Sequence, residues 1–154
     1  MVHSMFRDKL AAFREFVEAE GLGELRIIQC ELTYINHLSH NQGWSTLQDI
    51  GAVLRDHVWI SEGERFLPQP ESINWRTTFP LPMRLGRLHA SIRHGIKRDD
   101  KTPLLIMDLT ARGVPESTDD QSIFLWFDLA HHWIVRGFAD LTGESIQNDI
   151  WRRQ

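Results

Sequence analysis

The sequence predicts an α+β fold: a four-stranded, mainly antiparallel sheet with a long C-terminal helix and an N-terminal helix packed on one face. Four segments between residues 25 and 112 alternate apolar and polar side chains, as half-buried strands do. Segments with a helical period precede and follow them. Neither an internal repeat nor a change of composition divides the 154 residues, so we expect a single domain over residues 1–154 with a helix-grip-like layout.

The first helix is predicted over Met5–Glu20. Its apolar residues recur at helical spacing, at Phe6, Leu10, Phe13 and Val17. Gly21 and Gly23 follow, and glycine readily takes the left-handed conformation that ends a helix. The helix should therefore present one apolar stripe to the sheet.

The first strand is predicted over Leu25–Leu38, where apolar and polar residues alternate. Its apolar face is expected to hold Ile28, Cys30, Leu32, Tyr34 and Leu38. The pattern of Leu47–His57 indicates a short second helix, capped by Ser45 or Thr46. A loop should follow over Glu62–Glu71, because that segment contains one glycine and two prolines.

Three further strands are predicted over Ser72–Phe79, Gly86–Ile96 and Pro103–Arg112. The apolar residues of the last two strands fall on one face: Leu88, Ala90, Ile92 and Ile96, with Leu105, Met107, Leu109 and Ala111. The charged connection between them, residues 97–102, has hairpin length. These two strands should therefore pair antiparallel.

The final helix is predicted to begin near Asp119, and Ser117 and Asp120 have the spacing of a capping box. Its expected apolar stripe consists of Phe124, Phe127, Trp133, Ile134, Phe138 and Leu141. We expect Trp133 and Phe138 to be buried against the sheet. The same periodicity predicts that the helix continues or restarts toward the C-terminus.

Two sequence phrases resemble those of a known protein family. Gln29–His37 is Q-C-E-L-T-Y-I-N-H, and Trp133–Thr142 is W-I-V-R-G-F-A-D-L-T. Both are similar to signatures of an uncharacterised, sporadically distributed bacterial family whose members end in such a helix. Phe79–His89 and Met107–Gly113 add to the resemblance, which implies an architecture and no activity. Family members usually have further N-terminal strands, so this chain resembles the family's C-terminal region.

The composition argues against several classes of protein. The chain has 17 basic and 21 acidic residues and a net charge of −4, which offers no electrostatic footprint for nucleic acid or an anionic membrane. Its apolar runs are too short to span a bilayer. The single cysteine, Cys30, excludes an intrachain disulfide and fits a reducing compartment. With no signal-peptide pattern among the first residues, we expect a cytoplasmic protein.

No set of residues has the spacing of a catalytic or metal site. Eight histidines occur, but neighbours such as His37 and His40 should point to different faces, and no H-E-x-x-H motif accompanies them. Cys30 lies on an apolar strand face, where a thiol is inert packing. We therefore expect no metal, no cofactor and no catalytic residue, and we favour a non-enzyme without excluding an enzyme.

The polar face of the sheet is the best candidate for a binding site. If the apolar faces pack on the helices, the opposite face gathers six residues that could hold an anionic or polar ligand: Glu31, Arg76, His89, Arg93, Asp108 and Arg112. Guanidinium groups pair well with carboxylates and phosphates. The same residues could instead form a solvated face with cross-strand ion pairs, which is the commoner arrangement.

On the final helix, Asp128, His132 and Arg136 are spaced four residues apart. Side chains at this spacing meet on a helix surface, so the pattern favours a row of surface ion pairs over an acid–base pair. A general base would need a cleft and a partner, and the sequence indicates neither.

These observations favour a non-catalytic binding or interaction module. The alternative is a small-molecule-binding protein or enzyme that uses the polar sheet face or a pocket between sheet and helix. A sheet without the family's N-terminal strands would expose an edge, and unpaired edges recruit other chains. We therefore expect a homodimer or a complex with a separately encoded protein, and neither nucleic acid nor a membrane as partner. Trp44, Trp59 and Phe66 are expected to be exposed for such a contact.

Overall fold

The computed structural model describes residues 2–57 and 66–151 of the chain. Its strands are β1 (Cys30–Ser39), β2 (Asn74–Pro80), β3 (Gly86–Ile96) and β4 (Pro103–Gly113), and its helices are α1 (Val2–Ala19), α2 (Ile50–Val53) and α3 (Asp120–Leu141). The strands form one antiparallel sheet in the order β1-β4-β3-β2. The α+β class predicted from the sequence is confirmed.

The hairpin of β3 and β4 forms the centre of the sheet, with the pairing that the sequence predicts. The alternate apolar residues of both strands are almost completely buried on one face: Leu88, Ala90, Ile92, Leu105, Met107, Leu109 and Ala111. In the connecting turn, the Lys97 N–H donates to the carbonyl of Thr102 at 2.9 Å, and the Thr102 N–H donates to the carboxylate of Asp100 at 2.9 Å. These bonds close the turn between the two strands.

The first strand is shorter than predicted, because β1 begins at Cys30 and not at Leu25. Cys30 lies opposite Gly113, the last residue of β4, so the residues before Cys30 have no neighbouring strand to pair with. Residues 22–29 accordingly have no regular structure, and Ile28, expected in the core, is 80% exposed. Alternation alone could not show where the partner strand ends.

The apolar stripe of α3 differs from the predicted one. The buried residues of the helix are Ile123, Trp126, Ala130, Ile134 and Leu141. Trp133 and Phe138, expected to be buried, are only partly buried at the margins of the core, and Phe124 and Phe127 are also partly buried. The predicted stripe gave weight to four aromatic residues that are only partly buried, and the buried stripe instead combines Trp126 with aliphatic residues.

Gly137 lies on the side of α3 that faces the sheet. A Cβ atom at Gly137 would lie 3.0 Å from Cδ2 of Leu88, so a larger residue would require the side chain of Leu88 to shift. Ala130, on the same side of the helix, is also completely buried. These small residues lie on the buried side of the helix together with Trp126 and Ile134, and Phe127, Trp133 and Phe138 lie at its margins.

The start of α3 is capped by Asp119 and not by the predicted pair of Ser117 and Asp120. The carboxylate of Asp119 accepts a hydrogen bond from the backbone N–H of Ser122 at 2.9 Å, as an N-cap residue does. The hydroxyls of Ser117 and Ser122 also donate to this carboxylate. Ser117 therefore supports the cap through its side chain.

Helix α1 is attached to the first turns of α3. The rings of Phe6 and Phe127 meet edge to face with centroids 4.9 Å apart. Arg14 forms an ion pair with Asp120 at 2.9 Å. Phe13, a member of the predicted apolar stripe, is 50% exposed. A cavity of about 250 Å³ lies between α1, residues 25–31 and α3, so α1 packs loosely on this side of the molecule.

The short second helix is confirmed, with Thr46 at its N-cap. It consists of a 3-10 turn over Leu47–Asp49 followed by the single turn of α2. The carboxylate of Asp49 accepts from the N–H groups of Ser45 and Thr46, both at 2.8 Å, and these bonds lower the pKa of Asp49. Leu54, directly after α2, forms an isolated bridge with Thr142 beyond α3.

Three aromatic residues were predicted to be exposed, and the result differs for each of them. Trp44 is buried, with 4% exposure, because its indole N–H donates to the carbonyl of Leu38 and its ring packs on His94. Phe66 is 99% exposed, as predicted. Trp59 lies outside the described residues. Among the described helices, none is long and apolar enough to cross a membrane.

Candidate functional site on the open face of the sheet

The face of the sheet opposite α3 is the one on which the sequence places its candidate ligands. Rows of side chains cross it from strand to strand. Glu31, Arg112 and Arg87 lie side by side in one row, and Thr33, Thr110, His89 and Thr78 lie in the next. All six predicted residues lie on this face, as their alternation requires.

Four of the six predicted residues are paired with one another. Nε of Arg112 donates to Oε2 of Glu31 at 2.6 Å. Arg93 and Asp108 form a longer ion pair, with 3.5 Å between Nη2 and Oδ2. Both arginine side chains are half exposed, so these pairs contribute little to stability. These contacts match the solvated, ion-paired face that the sequence left open as the alternative.

The other two predicted residues are not paired with a charge. His89 shares a hydrogen bond of 3.2 Å between its Nδ1 and the hydroxyl of Thr78. Arg76 is exposed on β2 and forms no ion pair within the described part of the chain. Ligand binding by the six residues stays a prediction.

Arg87, which was not among the predicted residues, lies on the same face at the start of β3. The side chain is exposed and forms no ion pair with any residue that the structure describes. Arg87 lies directly opposite Arg112 in the ladder between β3 and β4. Its even spacing from His89 in the predicted strand was a signal that could have found it.

The outer edge of β1 is the second feature of this region. The strand is ten residues long and lies at one end of the sheet order, with β2 at the other end. It contains no proline, lysine or arginine, and Glu31 is its only charged residue. The shorter β2 includes Arg76 and Pro80, which are residue types that protect an edge from pairing. Ile35 on β1 is 63% exposed.

A groove between α3 and the sheet has a volume of about 600 Å³. Its walls combine apolar residues with four ionisable ones: Phe79, Leu88, Trp133, Gly137, Ala139 and Leu141, with Asp56, His132, Arg136 and Asp140. The sequence assigned His132 and Arg136 to a surface row. The structure places both of them in the wall of the groove.

The described residues contain no cluster of three or more histidine, cysteine, aspartate or glutamate side chains that could hold a metal ion. Cys30 is buried at the start of β1, and this burial raises the pKa of its thiol. A raised pKa keeps the thiol protonated and poorly nucleophilic. His131 is hydrogen-bonded to the hydroxyl of Tyr34 at 2.7 Å, which links α3 to β1.

Fold and site together define an α+β protein with an antiparallel sheet, one helix-covered face and an edge strand with one charged residue and no proline or lysine. Comparisons of the chain with protein-family models, with curated proteins and with solved structures find no match.

Proposed function

We propose that the chain is a non-catalytic interaction module that joins another polypeptide through the outer edge of β1. The observation that carries this proposal is a ten-residue edge strand with a single charged residue and no proline or lysine. The outer backbone N–H and C=O groups of such a strand are a template for a further strand. The exposed side chain of Ile35 adds apolar area beside that template.

The preferred partner is a second copy of the chain, and the alternative is a separately encoded protein that supplies a strand. Two-fold symmetry is the commonest way in which identical chains associate. In an antiparallel pair of β1 strands with Tyr34 opposite Tyr34, Glu31 of each copy lies opposite His37 of the other. The symmetric dimer therefore contains this pair two times. The two odd-numbered residues lie on the same face, so their side chains meet. We also propose a cytoplasmic location, because the single cysteine, Cys30, fits a reducing compartment.

Light scattering on the purified chain tests this proposal. The wild type is expected to be dimeric at concentrations of tens of micromolar. Ile35→Lys should convert it to a monomer, because a lysine on an edge strand opposes pairing. Ile96→Lys is a matched control, since Ile96 is 62% exposed and Ile35 is 63% exposed, but Ile96 lies at the end of the central strand β3.

The control variant should remain dimeric. A wild-type chain that stays monomeric and binds no hydrophobic dye would contradict both the homodimer and the heteromeric version. Equal loss of the dimer in both lysine variants would show that the contact is not made by β1.

The groove supports a second candidate function, binding of a small molecule between α3 and the sheet. Its volume of about 600 Å³ is within the range of ligand sites, and it combines an apolar wall with a few charged groups. Native mass spectrometry of the purified protein tests it. A co-purified molecule retained by the wild type and lost on Arg136→Ala supports this function, and a bare polypeptide mass contradicts it.

A further inference from the structure

We propose that Arg87 and Arg112 form a binding site for an oxyanion, the carboxylate or phosphate group of a ligand. This inference goes beyond the proposed interaction through β1 and does not depend on it. It rests on the cross-strand position of the two arginines and on their ion pairing, in which Glu31 pairs with Arg112 and no described carboxylate pairs with Arg87.

The two arginines lie directly opposite each other on β3 and β4. Opposed residues of an antiparallel pair have Cβ atoms about 4.5–5.5 Å apart, and like charges in such positions are destabilising. Arginine cannot relieve the repulsion by losing its proton, because its guanidinium group stays charged in proteins. An anion between the two groups would relieve it.

Among the residues that the structure describes, one carboxylate, that of Glu31, is paired with either of the two guanidinium groups. Glu31 bonds to Nε of Arg112, which leaves the two terminal nitrogens of that arginine for another acceptor. Arg87 has no ion pair within the described residues. The row therefore contains two positive charges and one negative charge, with both arginines exposed.

The adjacent row provides further hydrogen-bonding groups. His89 and Thr110 lie two residues along from Arg87 and Arg112, on the same face and about 7 Å away. Nδ1 of His89 is bonded to Thr78, and this leaves Nε2 for a ligand. An oxyanion held by the two arginines can thus belong to a molecule that extends over His89.

The backbone keeps the two arginines close. Gly86 lies opposite Gly113 in the register next to Arg87 and Arg112. A Cβ atom on Gly113 would overlap the carbonyl oxygen of Leu85, and one on Gly86 would overlap that of Arg112. The two strands therefore approach closely at this register, which fixes the backbone positions of Arg87 and Arg112 relative to each other.

Thermal unfolding at constant ionic strength, in inorganic phosphate, acetate or chloride, tests the proposal. We expect phosphate or acetate to raise the melting temperature of the wild type relative to chloride, with half-saturation in the millimolar range. Protection by phosphate alone assigns a phosphate ligand, and protection by acetate alone assigns a carboxylate. Arg87→Gln should raise the half-saturating anion concentration at least tenfold. Arg98→Gln, at an exposed arginine of the β3–β4 turn, should leave that concentration unchanged.

The variants also separate charge from geometry. In chloride at low ionic strength, Arg87→Gln should melt at a higher temperature than the wild type, because the repulsion from Arg112 is removed. Arg87→Lys keeps the charge but lacks the bidentate guanidinium donor. It should therefore show neither the higher melting temperature in chloride nor the full rise in melting temperature on addition of phosphate or acetate. Equal protection of all variants by both anions, or a lower melting temperature for Arg87→Gln in chloride, would overturn the proposal. Repeating the titration with Ile35→Lys keeps the result independent of dimer formation.

Discussion

Trp126 and Trp133 lie on the same helix, one fully buried and the other at the edge of a groove. Trp126 is 1% exposed, and its indole N–H donates to the carbonyl of Leu85 at 2.9 Å. Trp133 is partly buried and lines the 600 Å³ groove. The sequence predicted that Trp133 is buried against the sheet, whereas the structure leaves Trp133 partly exposed and buries Trp126 completely.

The two alanine substitutions should therefore differ in cost. Trp126→Ala removes a completely buried ring and one of the two hydrogen bonds to the carbonyl of Leu85, which keeps the bond from the Val114 N–H. It should therefore lower the free energy of unfolding by about 3–5 kcal/mol. Trp133→Ala should cost clearly less, because part of its ring already contacts solvent. Urea unfolding of both variants, followed by circular dichroism, measures the difference. Equal midpoints would contradict this assignment of the core.

The predicted elements agree best with the structure where a segment has neighbours on both sides. The hairpin of β3 and β4 is central in the sheet, and its predicted bounds agree to within one residue. The start of β1 was misplaced because its partner strand ends at Gly113. The start of α3 depends on a local side-chain bond at Asp119, which can be tested directly.

Asp119 should make the stability of α3 depend on pH. Hydrogen bonds from Ser117 and then from the backbone and side chain of Ser122 lower the pKa of Asp119 from 3.8 to about 2. Because the folded-state pKa is lowered, the ionised carboxylate stabilises the fold fully above its ordinary pKa, and this contribution is lost as the pH falls toward 2.

Asp119→Ala should therefore lower the melting temperature at neutral pH. The difference in melting temperature between Asp119→Ala and the wild type should become smaller as the pH falls from about 4 to about 2. Glu116→Ala, at an exposed neighbouring carboxylate, is the control and should show no such narrowing. Thermal melts across this pH range measure both variants, and a difference for Asp119→Ala that is independent of pH would contradict the cap assignment.

At the scale of the whole molecule, the sheet is asymmetric. Helix α3 buries one face, and the opposite face presents arginines, histidines and threonines. All six residues predicted for that face lie on it, because alternation in a strand is a local property. Which of them would be paired was not predictable, since Glu31 and Arg112, or Arg93 and Asp108, come from different strands.

No added metal should be needed for this fold. Zinc, manganese or a chelator is expected to leave the melting temperature unchanged, because no residue set in the sequence has the spacing of a metal site. Differential scanning fluorimetry with each addition, against buffer alone, measures this. Loss of folding in the presence of a chelator would contradict the expectation.

The sequence by itself determined the α+β class, the hairpin of β3 and β4, and the side of the sheet on which each strand residue lies. These features follow from periodicity and turn chemistry, which act between residues close in the chain. Only the tertiary structure decided that Trp126 is buried while Trp133 lines a groove, because the rotation of α3 on the sheet depends on contacts between residues far apart in the chain, such as Trp126 with the carbonyl of Leu85. It alone placed Arg87 opposite Arg112, because the register between two strands is a property of their pairing and not of either strand alone.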